Sequence, residues 1–170
     1  MLRRQFKLAG FGALLTGSLA AFALAGLLGV SLAGAQTGAM SVRLAHVAGG
    51  GARIALRSTS LGKVLVNGRG FTLYAFTKDA KNKDRCVTTT GCTHVWPVVS
   101  TRGGPIAGSG VKRSLLGSIK LSSGVRQATY AGHPLYTYAF DSGPGQTDYV
   151  GASEFGGRWL AIKGSGQLTG

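Results

Sequence analysis

Acidic side chains are scarce in this 170-residue chain, which carries five Asp and Glu against 19 Lys and Arg. The formal net charge at pH 7 is therefore +14. A surface this basic attracts anions, among them phospholipid headgroups, phosphate-rich wall polymers, acidic polysaccharides and nucleic acid. Charge alone does not choose among these partners. The densest basic stretch, residues 78–85, is typical of a solvated loop.

Cysteine is also rare, and Cys86 and Cys92 are the only two. An even pair in an exported chain predicts a disulfide, here closing the short loop CVTTTGC. The alternative is a site for an unknown metal built from Cys86, Cys92 and His94 and completed by His133, although zinc-ligating cysteines are usually closer in sequence. No C-x-x-C-H is present, which excludes the usual covalent attachment of haem. We therefore expect a disulfide and no cofactor.

The common catalytic motifs are missing too. The chain has no G-x-S-x-G, no H-E-x-x-H, and no Walker or dinucleotide-binding loop between a strand and a helix. The sequence consequently favours a non-catalytic protein, and we predict no catalytic residue.

The first residues are typical of an export signal. Arg3, Arg4 and Lys7 precede an apolar run over 8–30, and Ala33-Gly34-Ala35 fits the small-x-small cleavage rule. We predict a signal peptide over 1–35, with an uncleaved membrane anchor as the alternative. The two arginines followed by Gln-Phe approximate the twin-arginine pattern, and a general secretory signal is the other interpretation. Either route places the protein in the periplasm or outside the cell.

Helical periodicity is nearly absent after residue 40, and the chain contains 29 glycines. Short apolar runs separated by turn residues predict hairpins over 63–76 and 118–130, and 158–163 predicts a closing strand. We therefore expect an all-β, mainly antiparallel single domain, either a sandwich or a half-closed barrel.

A repeated motif organises this domain. The segment LYAFTKD at 73–79 returns as LYTYAFD at 135–141, and Trp96 and Trp159 follow at nearly the same spacing. Self-similarity of this kind predicts two tandem repeats of about 60 residues. The predicted boundaries are a signal peptide 1–35, a flexible leader 36–52, a first repeat 53–104, a second repeat 105–164 and a loose tail 165–170.

The motif residues are the candidate site. Side chains alternate along a strand, so Tyr74 and Phe76 share one face, as do Tyr136 and Tyr138 in the second copy. Asp79 and Asp141 follow each tyrosine by five residues, where an Asp caps a turn or accepts a hydrogen bond from a tyrosine hydroxyl. Two interpretations stay open: core ridges with structural aspartates, or a stacking platform for sugars, bases or a flat cofactor.

These features together resemble a known family. The duplicated Tyr-x-aromatic-x-x-Asp motif, LGKVL at 61–65, CVTTTGCTHVWP between the copies and GHPLYTYAFD in the second copy are similar to a bacterial secreted-repeat family of predicted lipoproteins. The resemblance runs from about 58 to 163. It implies an extracytoplasmic tandem-repeat domain whose activity is not established. Lipoprotein members carry a cysteine at the cleavage point, whereas no cysteine precedes Cys86 here, so we expect no lipid anchor.

Three functions are compatible with the sequence. The first is a non-catalytic envelope protein whose basic β-repeat domain binds or organises anionic surface polymers or a protein partner. The second is an extracytoplasmic metal or cofactor carrier linked to redox chemistry, which requires free thiols or converging histidines. The third is nucleic-acid binding, which requires exposed aromatic side chains and a steep dependence on salt.

Overall fold

The computed structural model of the chain describes residues 50–170. The predicted signal peptide (1–35) and nearly all of the predicted leader (36–52) lie outside the described residues. Within residues 50–170, no helix is long and apolar enough to cross a membrane.

Short strands dominate the described residues. The strands are β1 (Arg53–Thr59), β2 (Gly62–Asn67), β3 (Tyr74–Phe76), β4 (Ile106–Ala107), β5 (Leu116–Lys120), β6 (Arg126–Tyr130), β7 (His133–Pro134), β8 (Ser153–Glu154), β9 (Gly157–Ile162) and β10 (Leu168–Thr169). One short α-helix, α1 (Cys92–Val95), and two single-turn 3-10 helices, Cys86–Thr88 and Arg113–Leu115, complete the fold.

The strands form three sheets, ordered β2-β1-β4, β10-β9-β3 with β8 also on β9, and β5-β6-β7. All pairings between these strands are antiparallel except the short β1–β4 pair. The predicted mainly antiparallel β fold with two tandem repeats is therefore confirmed, and within residues 50–170 the sheets do not close into a barrel.

The turn of the first predicted hairpin is present, but its second strand is shared. The Asn67 side chain accepts hydrogen bonds from the backbone N–H groups of Arg69 and Phe71, which fixes a tight turn after β2. The chain then pairs with β2 only briefly, through Thr72 and Leu73. From Tyr74 onward it pairs with β9 instead. The expectation that all of 71–76 belongs to this hairpin was therefore wrong.

The second predicted hairpin is present as expected. β5 and β6 pair antiparallel with Ser118 opposite Ala128, and the backbone of Leu121 closes the turn by accepting from Gly124. Gly124 has a φ of +84°, a conformation that a side chain would strain. In this hairpin the turn residues predicted from the sequence produce the strand pairing that the structure shows.

The two repeats exchange their closing strands. β3 of the first repeat pairs with β9 of the second, with Tyr74 opposite Ala161. In the matching arrangement, Tyr136 of the second repeat lies opposite Val98 of the first. Each repeat thus completes its sheet with a strand from the other, as in a domain-swapped dimer joined into one chain.

Two hydrophobic clusters fill the interior, and each draws residues from both repeats. The first is mainly aliphatic and contains Ile54, Leu65, Leu73, Ala75, Val99, Ala128, Tyr130, Leu135 and Ile162. The second, which we call the aromatic cluster, contains Tyr74, Phe76, Cys86, Cys92, Trp96, Tyr136 and Trp159, with Tyr138, Tyr149 and Phe155 among the partly buried residues against it. Because the strands are exchanged, neither repeat can form these clusters alone.

The predicted loose tail, residues 165–170, is wrong. The chain reverses after β9 through a turn in which Gly166 has a φ of +92°, and β10 then pairs with Ala161 and Ile162. The small residues Gly164, Ser165 and Gly166 suggested flexibility, but they form the hairpin turn that returns the chain to β9.

Candidate functional site

A stack of rings runs through the aromatic cluster. The Phe76 ring lies on Trp159 with centroids 4.3 Å apart, and Trp159 lies on Trp96 at 4.0 Å with an interplanar angle of 3°. Trp96 contacts Tyr138 at 4.7 Å, and Tyr138 contacts Tyr149 at 3.7 Å. Five rings from both repeats therefore form one continuous path from the core to the half-buried Tyr149.

Strand exchange produces this stack. Phe76 on β3 lies directly opposite Trp159 on β9, so their side chains emerge on one face of the sheet. Gly157 allows the close approach, because a Cβ at that position would lie 2.6 Å from a carbon of the Phe76 ring. Trp96 reaches the same place from the end of α1. The equivalent tryptophans of the two repeats thus meet face to face.

The motif tyrosines and aspartates pair across the repeats. The Tyr136 hydroxyl donates to Oδ2 of Asp79 at 2.8 Å, and the Tyr74 hydroxyl donates to both oxygens of Asp141 at 3.2 and 3.3 Å. The backbones of Tyr74 and Tyr136 also exchange hydrogen bonds, at 2.9 and 3.0 Å. Each tyrosine therefore takes its carboxylate from the other repeat, which explains why tyrosine and aspartate are both duplicated.

Burial shifts the ionisation of these pairs. Desolvation raises the pKa of Asp79 to about 6, against the opposing effect of hydrogen bonds from the Arg85 backbone and the Tyr136 hydroxyl. Desolvation likewise raises the pKa of Asp141 to about 6. For Tyr74 and Tyr136, burial and the nearby carboxylate charges raise the pKa well above its ordinary value. The tyrosines consequently stay protonated and act as donors.

These shifts predict that acid stabilises the fold. Because Asp79 and Asp141 have folded pKa values of about 6 against an ordinary 3.8, the folded state binds more protons between those pH values. Their contribution to stability is then complete below pH 3.8 and is lost as the pH rises through 6. We expect the urea midpoint of the wild type to decrease as the pH is raised from 4 to 7. The decrease should be larger than in the Asp79→Asn/Asp141→Asn variant, which lacks both titrating carboxyl groups.

Comparison with that variant isolates the two aspartates from His133, whose pKa burial lowers and which acts in the opposite direction. Parallel pH profiles for the wild type and the double variant would contradict the prediction.

Glu154 is a site residue that the motif analysis missed. Its carboxylate accepts a hydrogen bond of 2.8 Å from the indole N–H of Trp96, whereas the indole N–H of Trp159 is buried without an acceptor in residues 50–170. The two repeats differ at this position. Glu154 lies five residues before Trp159, and the residue five before Trp96 in the first repeat is Gly91, which has no carboxylate to offer Trp159. The one sequence feature that points to Glu154 is the small number of acidic residues, because each of only five Asp and Glu is a candidate for a specific role.

The two cysteines form the predicted disulfide. Cys86 and Cys92 are bonded to each other and buried against the aromatic cluster. His94, in α1 just after Cys92, is exposed, and His133 is half-buried at the start of β7. In residues 50–170, no group of three or more His, Cys, Asp or Glu side chains could hold a metal ion. The alternative metal site from the sequence is therefore not assembled in this arrangement, since the bonded cysteines are not available as thiolate ligands.

The predicted stacking residues are divided between core and surface. Tyr74, Phe76 and Tyr136 are buried, with exposed fractions of 0 to 2%, so their faces are not open to a ligand. Tyr138 is half-buried and reaches a groove beside Asp141, and Phe140 is 66% exposed. The second repeat alone therefore presents motif aromatics near the surface.

Charge is separated between the inside and the outside of the domain. Every lysine and arginine in residues 50–170 is exposed, whereas Asp148 is the one exposed Asp or Glu side chain there. A surface groove of about 530 Å³ between the loops at 100–103 and 124–126 contains Arg102 and Arg126 and is lined by no acid. The arrangement presents cations to solvent and keeps most carboxylates in hydrogen bonds with the protein.

Comparison with known families identifies the repeats. A family model described as a secreted repeat of unknown function matches residues 55–100 and again residues 117–163. The two matches together cover more than half of the chain and coincide with the two copies of the motif. No curated protein and no solved structure was found to match.

Proposed function

This chain belongs to the family of secreted repeats of unknown function, and from that premise we propose that it is a non-catalytic envelope protein whose basic surface binds anionic polymers. Membership of this family makes it an exported protein. We further propose that it acts free in the periplasm or outside the cell, and that the twin-arginine pattern directs its export.

One observation carries the proposal: the carboxylates are used inside the domain. Asp79, Asp141 and Glu154 accept hydrogen bonds from Tyr136, Tyr74 and Trp96, which are neutral donors, and not from lysine or arginine side chains. Asp84 is buried as well. The exposed lysines and arginines therefore produce a positive field at the surface, and this field attracts polyanions over several ångströms in solution.

The arginine groove is the best place for specific contacts. Arg102 and Arg126 are both exposed at its edge, and the guanidinium of Arg126 donates to the Ser118 hydroxyl at 3.1 Å, which orients it. Most of the remaining lining residues are small, namely Gly50, Ala52, Ser100, Gly103 and Gly124, so polymer backbone groups can approach closely. Arginine at such a site binds phosphate or carboxylate with two hydrogen bonds.

The test is binding of the exported chain to long-chain polyphosphate, wall teichoic acid and hyaluronate over a range of salt concentrations. We expect the affinity for the phosphate polymers to fall linearly on a log–log plot against salt as counterions are released. The variant Arg102→Ser/Arg126→Ser is expected to bind more weakly than Lys63→Ser/Lys163→Ser, which removes the same charge outside the groove.

Equal losses of affinity in the two variants would mean that the polymers bind through the overall positive charge and not through the arginine groove. Absence of binding near physiological salt would overturn the proposal. Binding to an acidic protein but to none of the polymers would indicate a protein partner instead. The other two functions have less support, because the cysteines are bonded to each other and the motif residues Tyr74, Phe76 and Tyr136 are buried.

A further inference from the structure

The ring stack contains four residues that can be oxidised by one electron and one that resists it. Trp159, Trp96, Tyr138 and Tyr149 follow one another at centroid distances of 4.0, 4.7 and 3.7 Å. At the other end the stack finishes in Phe76, whose ring is far harder to oxidise. An electron that leaves at the Tyr149 end can therefore come from the two indoles, and no oxidisable ring lies beyond Trp159 along the stack.

Tyr136 provides a branch from the inner end of the stack. Its ring meets Trp159 edge-on with centroids 5.0 Å apart, and its hydroxyl donates to Asp79 at 2.8 Å. A phenol gives up an electron readily only when its proton can leave at the same time, and a carboxylate at hydrogen-bond distance can take that proton. Tyr136 has this arrangement with no water needed between the two groups. Its hydrogen bond is shorter than that of Tyr74, which meets Trp96 edge-on at 5.1 Å and donates to Asp141 at 3.2 and 3.3 Å.

Tyr130 shows that burial alone does not create such a pair. It is as fully buried as Tyr136, but its hydroxyl donates to the backbone carbonyl of Gly164 at 2.8 Å. A carbonyl oxygen is too weak a base to accept the proton. Tyr130 also belongs to the aliphatic cluster rather than to the ring stack. The chain therefore contains a matched tyrosine that lacks both features.

We propose that the aromatic cluster is a one-electron donor site for radical oxidants of small inorganic or peroxyl type. The oxidant takes one electron from the Trp96–Trp159 pair through the rings of Tyr149 and Tyr138, whose O–H bonds stay intact, and the resulting hole comes to rest on Tyr136. The Tyr136 O–H bond breaks, its proton forms a new O–H bond on Asp79, and the oxidant is reduced by one electron. The products are a buried phenoxyl radical, a neutral Asp79 and the reduced oxidant.

The basic surface suits this role when the oxidant is an anion. Every lysine and arginine of residues 50–170 is exposed, so anionic oxidants are attracted to the domain. The inference does not depend on the binding of envelope polymers, since it uses the ring stack and its carboxylate and not the arginine groove.

The test is pulse radiolysis of the exported chain with the dibromide radical anion, followed by transient absorption of the indolyl and phenoxyl radicals. We expect the indolyl signal to decay into the phenoxyl signal at a rate independent of protein concentration. Tyr136→Phe is expected to lose most of the slow, intramolecular phenoxyl signal, and Asp79→Asn to slow its formation, because an amide accepts the hydrogen bond but not the proton. Tyr130→Phe is expected to behave as the wild type.

Further variants examine the path. Trp159→Phe keeps an aromatic ring in the stack but removes an oxidisable residue, and we expect less transfer to Tyr136. Phe76→Leu disturbs the same stack without removing an oxidisable ring, and we expect transfer to persist. Equal yields in Tyr136→Phe and the wild type, or a transfer rate that rises with protein concentration, would overturn the proposal. Far-UV circular dichroism of each variant separates loss of transfer from loss of the fold.

Discussion

Replacing Trp159 with alanine is expected to lower the free energy of unfolding by about 3–5 kcal/mol, the usual cost of removing a large aromatic side chain from a core. Trp159 is fully buried and its ring contacts Phe76 on one face, Trp96 on the other and Tyr136 at its edge. The change would leave a cavity between the two repeats. Urea unfolding followed by far-UV circular dichroism measures the loss.

Two variants serve as controls for this prediction. Trp159→Phe keeps part of the stack and removes an indole N–H that is buried without an acceptor in residues 50–170, so we expect a much smaller loss. Phe140→Ala removes a side chain that is 66% exposed, and its effect should stay within about 0.5 kcal/mol. A loss of similar size in Phe140→Ala and Trp159→Ala would show that the stack does not join the repeats.

Replacing Asp79 with alanine is expected to cost about 1–3 kcal/mol, because the Tyr136 hydroxyl would lose its acceptor inside the domain. The backbone N–H of Arg85 would also lose a partner at 2.7 Å, although it is exposed and water can replace the carboxylate. Asp79→Asn keeps an oxygen acceptor for the hydroxyl and should recover much of the loss. Urea midpoints at pH 7 for the wild type and both variants provide the comparison, and a larger loss in Asp79→Asn than in Asp79→Ala would contradict it.

Much of the fold was predictable because it depends on local chemistry. The Asn67 turn and the Ser122-Ser123-Gly124 turn have the residues that such turns require, and both form. The disulfide followed from the parity and spacing of Cys86 and Cys92 and from the predicted export. The repeat was visible as a duplicated motif, and the family match confirms it.

The exchange of strands was not predictable from the same patterns. Alternation shows that Tyr74 and Phe76 share a face, but it does not show which strand lies opposite them. The two copies of the motif are nearly equivalent, so pairing within a repeat and pairing between repeats satisfy the local sequence equally well. The choice depends on long-range packing, and in the observed pairing Trp96 and Trp159 stack on each other.

The candidate site was predicted as a set of residues but not as an arrangement. Tyr74, Asp79, Tyr136 and Asp141 were identified from the motif, and a tyrosine–aspartate hydrogen bond was among the roles considered. Glu154 was missed because it has no equivalent in the first repeat, where Gly91 stands at the corresponding position. Asymmetry between repeats cannot be found by searching for what they share.

The most direct test of the account is a double-mutant cycle on the pairing between repeats. The structure predicts a coupling of roughly 1–3 kcal/mol between Tyr136→Phe and Asp79→Ala, because these residues share one hydrogen bond. Tyr136→Phe and Asp141→Ala, which lie in the same repeat, are the matched control and should be additive. A coupling between Tyr136 and Asp141, with none between Tyr136 and Asp79, would contradict the exchange of hydrogen-bond partners between the repeats.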